Sequence, residues 1–583
     1  MMTFSNDCTL PALPLPELKE SINQIKELIK PLVDDVTWQQ SCVAADAVAI
    51  QAATLQQELS EYRHILAKGN SWLRPFWDES YLSSRSSLPL NVNYFIELRT
   101  EQMIAGIDDS NVKLATFLLA LCRQFQAIAT NKIPNEVVHG QCLSMDQLDN
   151  MLYSRIAALN SDMLMPVSVQ GQICISVVCR GYWYLLCVSD VSGQFVTSNA
   201  LASVLQDIRT DAMSNSDMNV PIGAMCVATR DEAALIRQEL CSNLQNRLSL
   251  RDLEHSLFTL CLDEPGTQPF ADTLLGGPTE NRWYDKSLQV IADDAGHIGL
   301  NIEHSGCDAG IWLYLLQCVY EENAQTVLQS EHHLIQPQFR QLKWQINPSL
   351  SDQLKYWHQK QQADYASIGR SFYENTDINR EQIKGLGCSP DAFLQCCWQL
   401  AYYQLSQEMV SVYEAVAVRG FYQGRTECAR PLTEQMASFI QQSFTGGVSK
   451  DSLKASFLLM EQAHKARLKR CQQGMGSERH MTGLYYMSML NNTPTSKLPE
   501  LFNDTGWQKL IHNTISTSSI AAPFIRFFGF GPVENDGLGI GYGLTSTGLQ
   551  LVVTSAKNSK VGTEDFIRAF EAQSNILKDI LSS

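Results

Sequence analysis

Residues 287–312 read SLQVIADDAGHIGLNIEHSGCDAGIW. Two short apolar runs flank Asp293-Asp294-Ala295-Gly296-His297, which predicts a β-hairpin whose second strand ends at His304. A histidine leaving a rigid strand into a Gly-containing turn, with Asp308 four residues on, pairs a general base with a carboxylate. Two other readings stay open: an ordinary core histidine, or a metal ligand sharing the site with Asp308 and with His332 and His333. Gly306 and Gly310 argue against a helix that would bring His304 and Asp308 onto one face, and adjacent histidines point apart.

Outward from this hairpin the chain mixes both periodicities. Upstream, "LPALPLP" leads into an amphipathic pattern over 17–33, and 43–66 predicts a longer Ala- and Gln-rich helix. "QICISVVC" and "YWYLLCVSD" read as strands, and "DEAALIRQELCSNL" as a helix. Downstream, Ser389-Pro390-Asp391 opens a buried helix over 389–406. "GLGIGYGLTS" and "LQLVVTSAK" predict an antiparallel pair before a closing amphipathic helix. The glycines of "FGFGPVENDGLGIGYG" (528–543) open no helix and precede no Gly-Lys-Ser/Thr. Alternating through a strand, they permit close approach of another backbone or a ligand.

At 583 residues the chain exceeds what one core supports, so two domains are expected, with a boundary near 340–350. Hydrophobic residues at 45% and charged ones at 18% describe an ordinary globular protein. A net charge of −17 disfavours nucleic acid, and the basic run "AHKARLKR" (463–470) reads as a solvated helix face. Seventeen cysteines with no Cys-x-x-Cys pair fit neither a disulfide framework nor a zinc site, and no metal ligand set is assigned. A reducing, cytoplasmic location without a membrane span is the expectation. No Gly-x-Ser-x-Gly elbow marks a serine hydrolase.

Taken in order, "LPALPLPELKESI", "NRWYDKSLQVI", "IEHSGCDAG", "CSPDAFLQCCWQLAYYQ", "VYEAVAVRGFYQGRT", "LFNDTGW", "STSSI" and "FGPVENDGLGIGY" resemble the choline/carnitine O-acyltransferase family. The match is densest after Asn281 and thin between about 100 and 230. The resemblance implies an α/β fold of two similarly folded domains like chloramphenicol acetyltransferase, with mixed β-sheets flanked by helices and a tunnel at the domain interface. It implies domains at 70–345 and 346–583, a helical segment 1–69 packed on the second, and a monomer. His304 matches the catalytic base, Asp308 its acidic partner and Ser518 the oxyanion donor. Coenzyme A or its acyl thioester is implied as co-substrate, with no permanently bound cofactor, at Arg380, Lys384 and Asp391. Arg380 stands where the family has lysine, and Gly387 where a basic residue is common.

Tyr413, Thr426 and Arg479 fall where members that use carnitine bind its carboxylate, so transfer of a short acyl group between coenzyme A and carnitine is implied. Ser516 would contact the same substrate. Phe528 stands where long-chain members carry Gly and would shorten the acyl site, Phe530 would pack near the substrate's ammonium or the acyl site, and the pair Trp77 and Tyr81 resembles the aromatic residues that begin the family's site lining. Transfer to choline, a non-catalytic binding homologue and a condensation-type His-x-x-x-Asp domain are the alternatives.

Overall fold

The computed structural model describes residues 9–66, 71–215, 220–326, 335–491 and 499–582; His332 and His333 fall outside them. The chain opens with helices α1 (Leu18–Ile29), α2 (Asp35–Gln51) and α3 (Ala53–Leu66). The single helix expected over 43–66 is in fact two. Asp34 caps α2 by accepting from the Thr37 amide, and at Ala52 the backbone leaves the helical region with φ −104° and ψ 6°. Ala52 is buried at this corner, which lets α2 and α3 seal Val48 and Leu59 against Met481 and Leu484, far along the chain.

After α4 (Arg74–Leu82), the first half supplies strands β1 (Tyr94–Leu98), β2 (Cys174–Cys179), β3 (Tyr182–Cys187), β4 (Thr259–Asp263), β5 (Leu288–Asp293), β6 (Ile298–Ile302) and β7 (Gln338–Leu342). The second supplies β8 (Gly369–Asn375), β9 (Val412–Ala417), β10 (Thr426–Ala429), β11 (Ile515–Ser519), β12 (Ile525–Phe530), β13 (Leu538–Leu544) and β14 (Leu549–Ser555). One sheet runs β7-β3-β2-β4-β5-β6-β1-β12, the other β8-β14-β13-β11-β9-β10.

The two sheets repeat one topology. In each, two antiparallel hairpins (β2-β3 and β5-β6; β9-β10 and β13-β14) flank a central strand parallel to both. In each, the first strand of the half adds antiparallel beside the last hairpin. The fold is mixed α/β, with both hairpins read from the sequence in place.

Strand β12 breaks the symmetry. It leaves the second half between β11 and β13 and pairs with β1, extending the first sheet across a cut at 345/346. The glycines of β13 make room for it: a Cβ on Gly541 would stand 2.2 Å from the Phe528 carbonyl oxygen, and one on Gly539 would stand 3.0 Å from the carbonyl oxygen of Gly531, just past the end of β12. The alternating glycines thus admit a neighbouring backbone.

Two further observations bear on the sequence readings. Helix α5 (Ser110–Ala129) is long and apolar enough to cross a membrane by length and composition, but 61% of its apolar window is buried in the protein. Its burial against the first sheet's core accounts for that composition. Cys174 and Cys187 form a disulfide, because their register on β2 and β3 sets them opposite each other with Cα atoms 4.0 Å apart. Spacing alone conceals such cross-strand partners.

Gly541→Ala is expected to destabilise the protein by about 1–3 kcal/mol through overpacking at this crossing. A lower urea midpoint at unchanged slope would report it.

Candidate active site

Residues 303–308 link β6 to α6 (Ala309–Thr326). Gly310, expected to prevent a helix, lies in its first turn. The loop is clamped from both sides. On the first-half side Arg155 Nη1 donates to Glu303 Oε1 (2.9 Å) and to Ser305 Oγ (2.7 Å), and the Tyr153 hydroxyl also donates to the Glu303 carboxylate. Burial works to raise the Glu303 carboxyl, yet the Arg155 charge and these hydrogen bonds hold it below its ordinary value.

On the second-half side Arg425, at the start of β10, donates to Asp308 Oδ1 (2.9 Å), to the Ser305 carbonyl (2.6 Å) and to the His304 carbonyl (3.1 Å). Gln147 completes the clamp, donating to Asp308 Oδ2 (3.1 Å) and accepting from the Asp308 amide (2.8 Å). Burial pushes the Asp308 carboxyl up, but Arg425 overcomes this and holds it at about 2.

His304 Nδ1 lies 2.9 Å from the Cys307 carbonyl oxygen. A carbonyl can only accept, so Nδ1 carries the proton and Nε2 keeps a free lone pair. Asp308 Oδ1 is 4.0 Å from Nδ1, beyond hydrogen-bond reach, so the peptide carbonyl orients the ring and Asp308 acts through its charge. Burial lowers the His304 pKa from its ordinary 6.5, the Asp308 charge opposes this, and Arg425 adds to it. The ring is neutral at neutral pH and faces a cavity of about 910 Å³ lined by both halves of the chain. Tyr81 and Tyr94 flank it at centroid distances of 5.3 and 5.1 Å.

Across the cavity, β11 alternates so that Ser516 and Ser518 share one face. Both serines line the cavity, and neither hydroxyl has a hydrogen-bond partner among the described residues. Thr517 donates to the Tyr413 carbonyl and accepts from Gln395, pinning β11 to β9 and to α8 (Pro390–Ser406), which follows α7 (Arg380–Gly385).

Tyr413, Thr426 and Arg479 come together. Arg479 Nη2 donates to the Tyr413 hydroxyl (2.9 Å) and Nε to the Thr426 carbonyl (3.2 Å), and the guanidinium lies 4.4 Å over the Trp77 ring. Arg479 begins α10 (Ser477–Leu490), which follows α9 (Lys450–Gln472). Phe528 and Phe530 line the same cavity, with ring centroids 6.0 Å apart.

The three positions assigned to coenzyme A separate. Asp391 lines the cavity, whereas Arg380 and Lys384 on α7 are not among its lining residues; Arg380 Nη2 donates to the Leu544 carbonyl and Lys384 stands 3.8 Å from Glu381. His464, in the run read as a solvated face, is buried, with Nε2 2.7 Å from Asp391 Oδ2. Glu414 joins them, so that one donor atom from each lies within 4.8 Å of the others. Burial, and next the Asp391 charge, push the Glu414 carboxyl well above its ordinary value.

The family described as choline/carnitine O-acyltransferase matches residues 13–572. The chain belongs to the choline/carnitine O-acyltransferase family. It is an O-acyltransferase. Among relatives, the putative mitochondrial carnitine O-acetyltransferase of Saccharomyces cerevisiae is 27% identical over 94% of this chain and 90% of its own length. Choline O-acetyltransferase of Homo sapiens is 27% identical over 99% of this chain and 80% of its own. The solved structure of VibH, a condensation enzyme, overlays 88% of this chain and 97% of its own at 10% identity with a TM-score of 0.38.

In this acyltransferase, sequence reasoning missed Arg425 and Gln147. Arg425 sits in "GRTEC" immediately before Thr426 and was the available signal; Gln147 lies where no motif guides the reading.

Arg425→Met should cost about 3–5 kcal/mol, because it strands the Asp308 carboxylate in a buried site; denaturant unfolding measures it. An NMR titration of the His304 imidazole should give a midpoint below 6.5, since burial disfavours the cation. Asp308→Asn should move that midpoint lower still, because the carboxylate favours the charged ring.

Proposed function

We propose that the protein reversibly transfers a short acyl group, acetyl foremost, between coenzyme A and carnitine. The cavity is then a tunnel entered by the two substrates from opposite sides. His304 Nε2 takes the proton of the acceptor hydroxyl as the oxygen attacks the thioester carbonyl, a step in which a positioned base contributes about 10²–10⁴ in rate. The Ser518 hydroxyl donates to the oxyanion of the tetrahedral intermediate, worth about 10²–10³ in turnover. Collapse breaks the carbon–sulfur bond, and the protonated His304 returns its proton to the departing thiolate. Asp391 meets the pantetheine arm, and Arg380 and Lys384 meet the phosphates outside the cavity.

The observation that supports carnitine is the cluster of Arg479, Tyr413 and Thr426 beside the cavity. A half-buried guanidinium with an adjacent phenol suits a carboxylate, which carnitine has and choline lacks. Phe528 at the cavity wall supports a short acyl group.

Arg479→Asn should raise the KM for carnitine about 30-fold or more, the scale of a lost charge-assisted hydrogen bond, while the KM for acetyl coenzyme A changes little. Steady-state kinetics with acetyl coenzyme A against carnitine and choline decides the matter. Equal effects on both KM values, or faster turnover of choline by the unmodified protein, would overturn the carnitine assignment.

A further inference from the structure

We infer that Tyr94, rather than Phe528 alone, sets the length of acyl group the site accepts. The inference rests on the reading that acyl transfer occurs at His304.

Strand β1 lies between β6 and β12, with Tyr94 opposite Ile302 on one side and Phe530 on the other, and Ile96 opposite Phe528. Paired residues of antiparallel strands share a face, so Tyr94, Ile96, Phe528 and Phe530 all project the same way. Their rings form a continuous ladder: His304 to Tyr94 at 5.1 Å, Tyr94 to Phe528 at 5.9 Å, Phe528 to Phe530 at 6.0 Å. Tyr94 occupies the rung between the imidazole and Phe528. An acyl chain extending from the reacting carbonyl towards Phe528 meets the tyrosine ring first.

Tyr94 is 3% exposed and Phe528 4%, so the wall is closed as it stands. Its packing is apolar, in one core cluster with Ile302, Ile311 and Leu315. The Tyr94 hydroxyl is buried with no hydrogen-bond partner among the described residues. The ring is therefore held by packing, and the plug depends on its volume rather than on a bond it makes. Truncating a ring in an apolar wall leaves a dry cavity of the kind that takes up apolar ligands. Here that cavity would open beside His304 and continue towards Phe528. Phe528 lines the same cavity one rung further on, so truncating it opens space beyond the tyrosine ring.

The test compares kcat/KM for acetyl, butyryl, hexanoyl and octanoyl coenzyme A in the unmodified protein, Tyr94→Ala, Tyr94→Phe, Phe528→Gly and the Tyr94→Ala/Phe528→Gly double variant. Tyr94→Ala should raise the octanoyl-to-acetyl ratio by about tenfold or more, the scale of discrimination by methylene groups in an apolar pocket. Tyr94→Phe should keep the original ratio, Phe528→Gly alone should raise it less than Tyr94→Ala does, and the double variant should exceed either single one. A ratio that moves in Phe528→Gly and not in Tyr94→Ala overturns the inference. If Tyr94→Ala does not fold, Tyr94→Leu should give a smaller shift in the same direction, and no shift there overturns it equally. Calorimetric binding of octanoyl against acetyl coenzyme A reads the wall without turnover. Absence of transfer to every acceptor, with binding selectivity moved by Tyr94→Ala, would reject the proposed reaction and keep the gate.

Discussion

The bond from Arg425 to Asp308 is the interaction on which the site depends. Arg425 enters from the second half of the chain, and its guanidinium spans Asp308 and the carbonyls of Ser305 and His304 in the first. A buried ion pair adds little net stability, because desolvating both charges costs about as much as their attraction returns. Its consequence is geometric. With Arg155 holding Glu303 and Ser305 from the other side, the backbone around His304 has hydrogen bonds on both flanks, which leaves the imidazole one orientation. The halves cannot shift against each other without stranding a buried charge.

A second constraint comes from β12. Because Gly539 and Gly541 leave space for its backbone, this strand crosses from one sheet to the other and pairs with β1. The same residues that join the sheets, Phe528 and Phe530, then form part of the cavity wall. Scaffold and cavity wall thus share one strand, and the aromatic side chains of the wall are fixed by main-chain pairing rather than carried on a loop.

What could be read from the sequence was short in range. The β5-β6 hairpin showed as two apolar runs around Asp293–His297, α8 as Ser-Pro-Asp before an apolar stretch, and the crossing as alternating glycines. Each signal lies within a few residues of its cause. Arg425, Gln147 and Tyr94 work at long range: each acts on His304 or its loop from more than a hundred positions away, through contacts that only the fold creates. The Cys174–Cys187 bond escaped for the same reason, since strand register, not spacing, puts the two sulfurs together. The segment match singled out Tyr413, Thr426 and Arg479, far apart in the chain, and the structure brings these three together. The helical pattern over 43–66 did not show the break at Ala52, a buried corner that shares its core cluster with Met481 and Leu484, far along the chain.

Aspartate at 308 also takes on a different meaning. Its side chain is one methylene shorter than glutamate, which would weaken a histidine that relied on it for orientation. Here the Cys307 carbonyl holds Nδ1 at 2.9 Å, and the carboxylate, 4.0 Å away, is engaged with Arg425 and Gln147. Reach to the ring is not what the position needs. The carboxylate and the guanidinium instead act on the imidazole with opposite signs, the one favouring its cation and the other opposing it, while burial outweighs both. Burial therefore leaves the ring neutral at rest, as the proposed base requires, while the carboxylate 4.0 Å away would favour the imidazolium once it took a proton. A shorter acid fully engaged by its arginine serves that purpose as well as a longer one reaching for the ring.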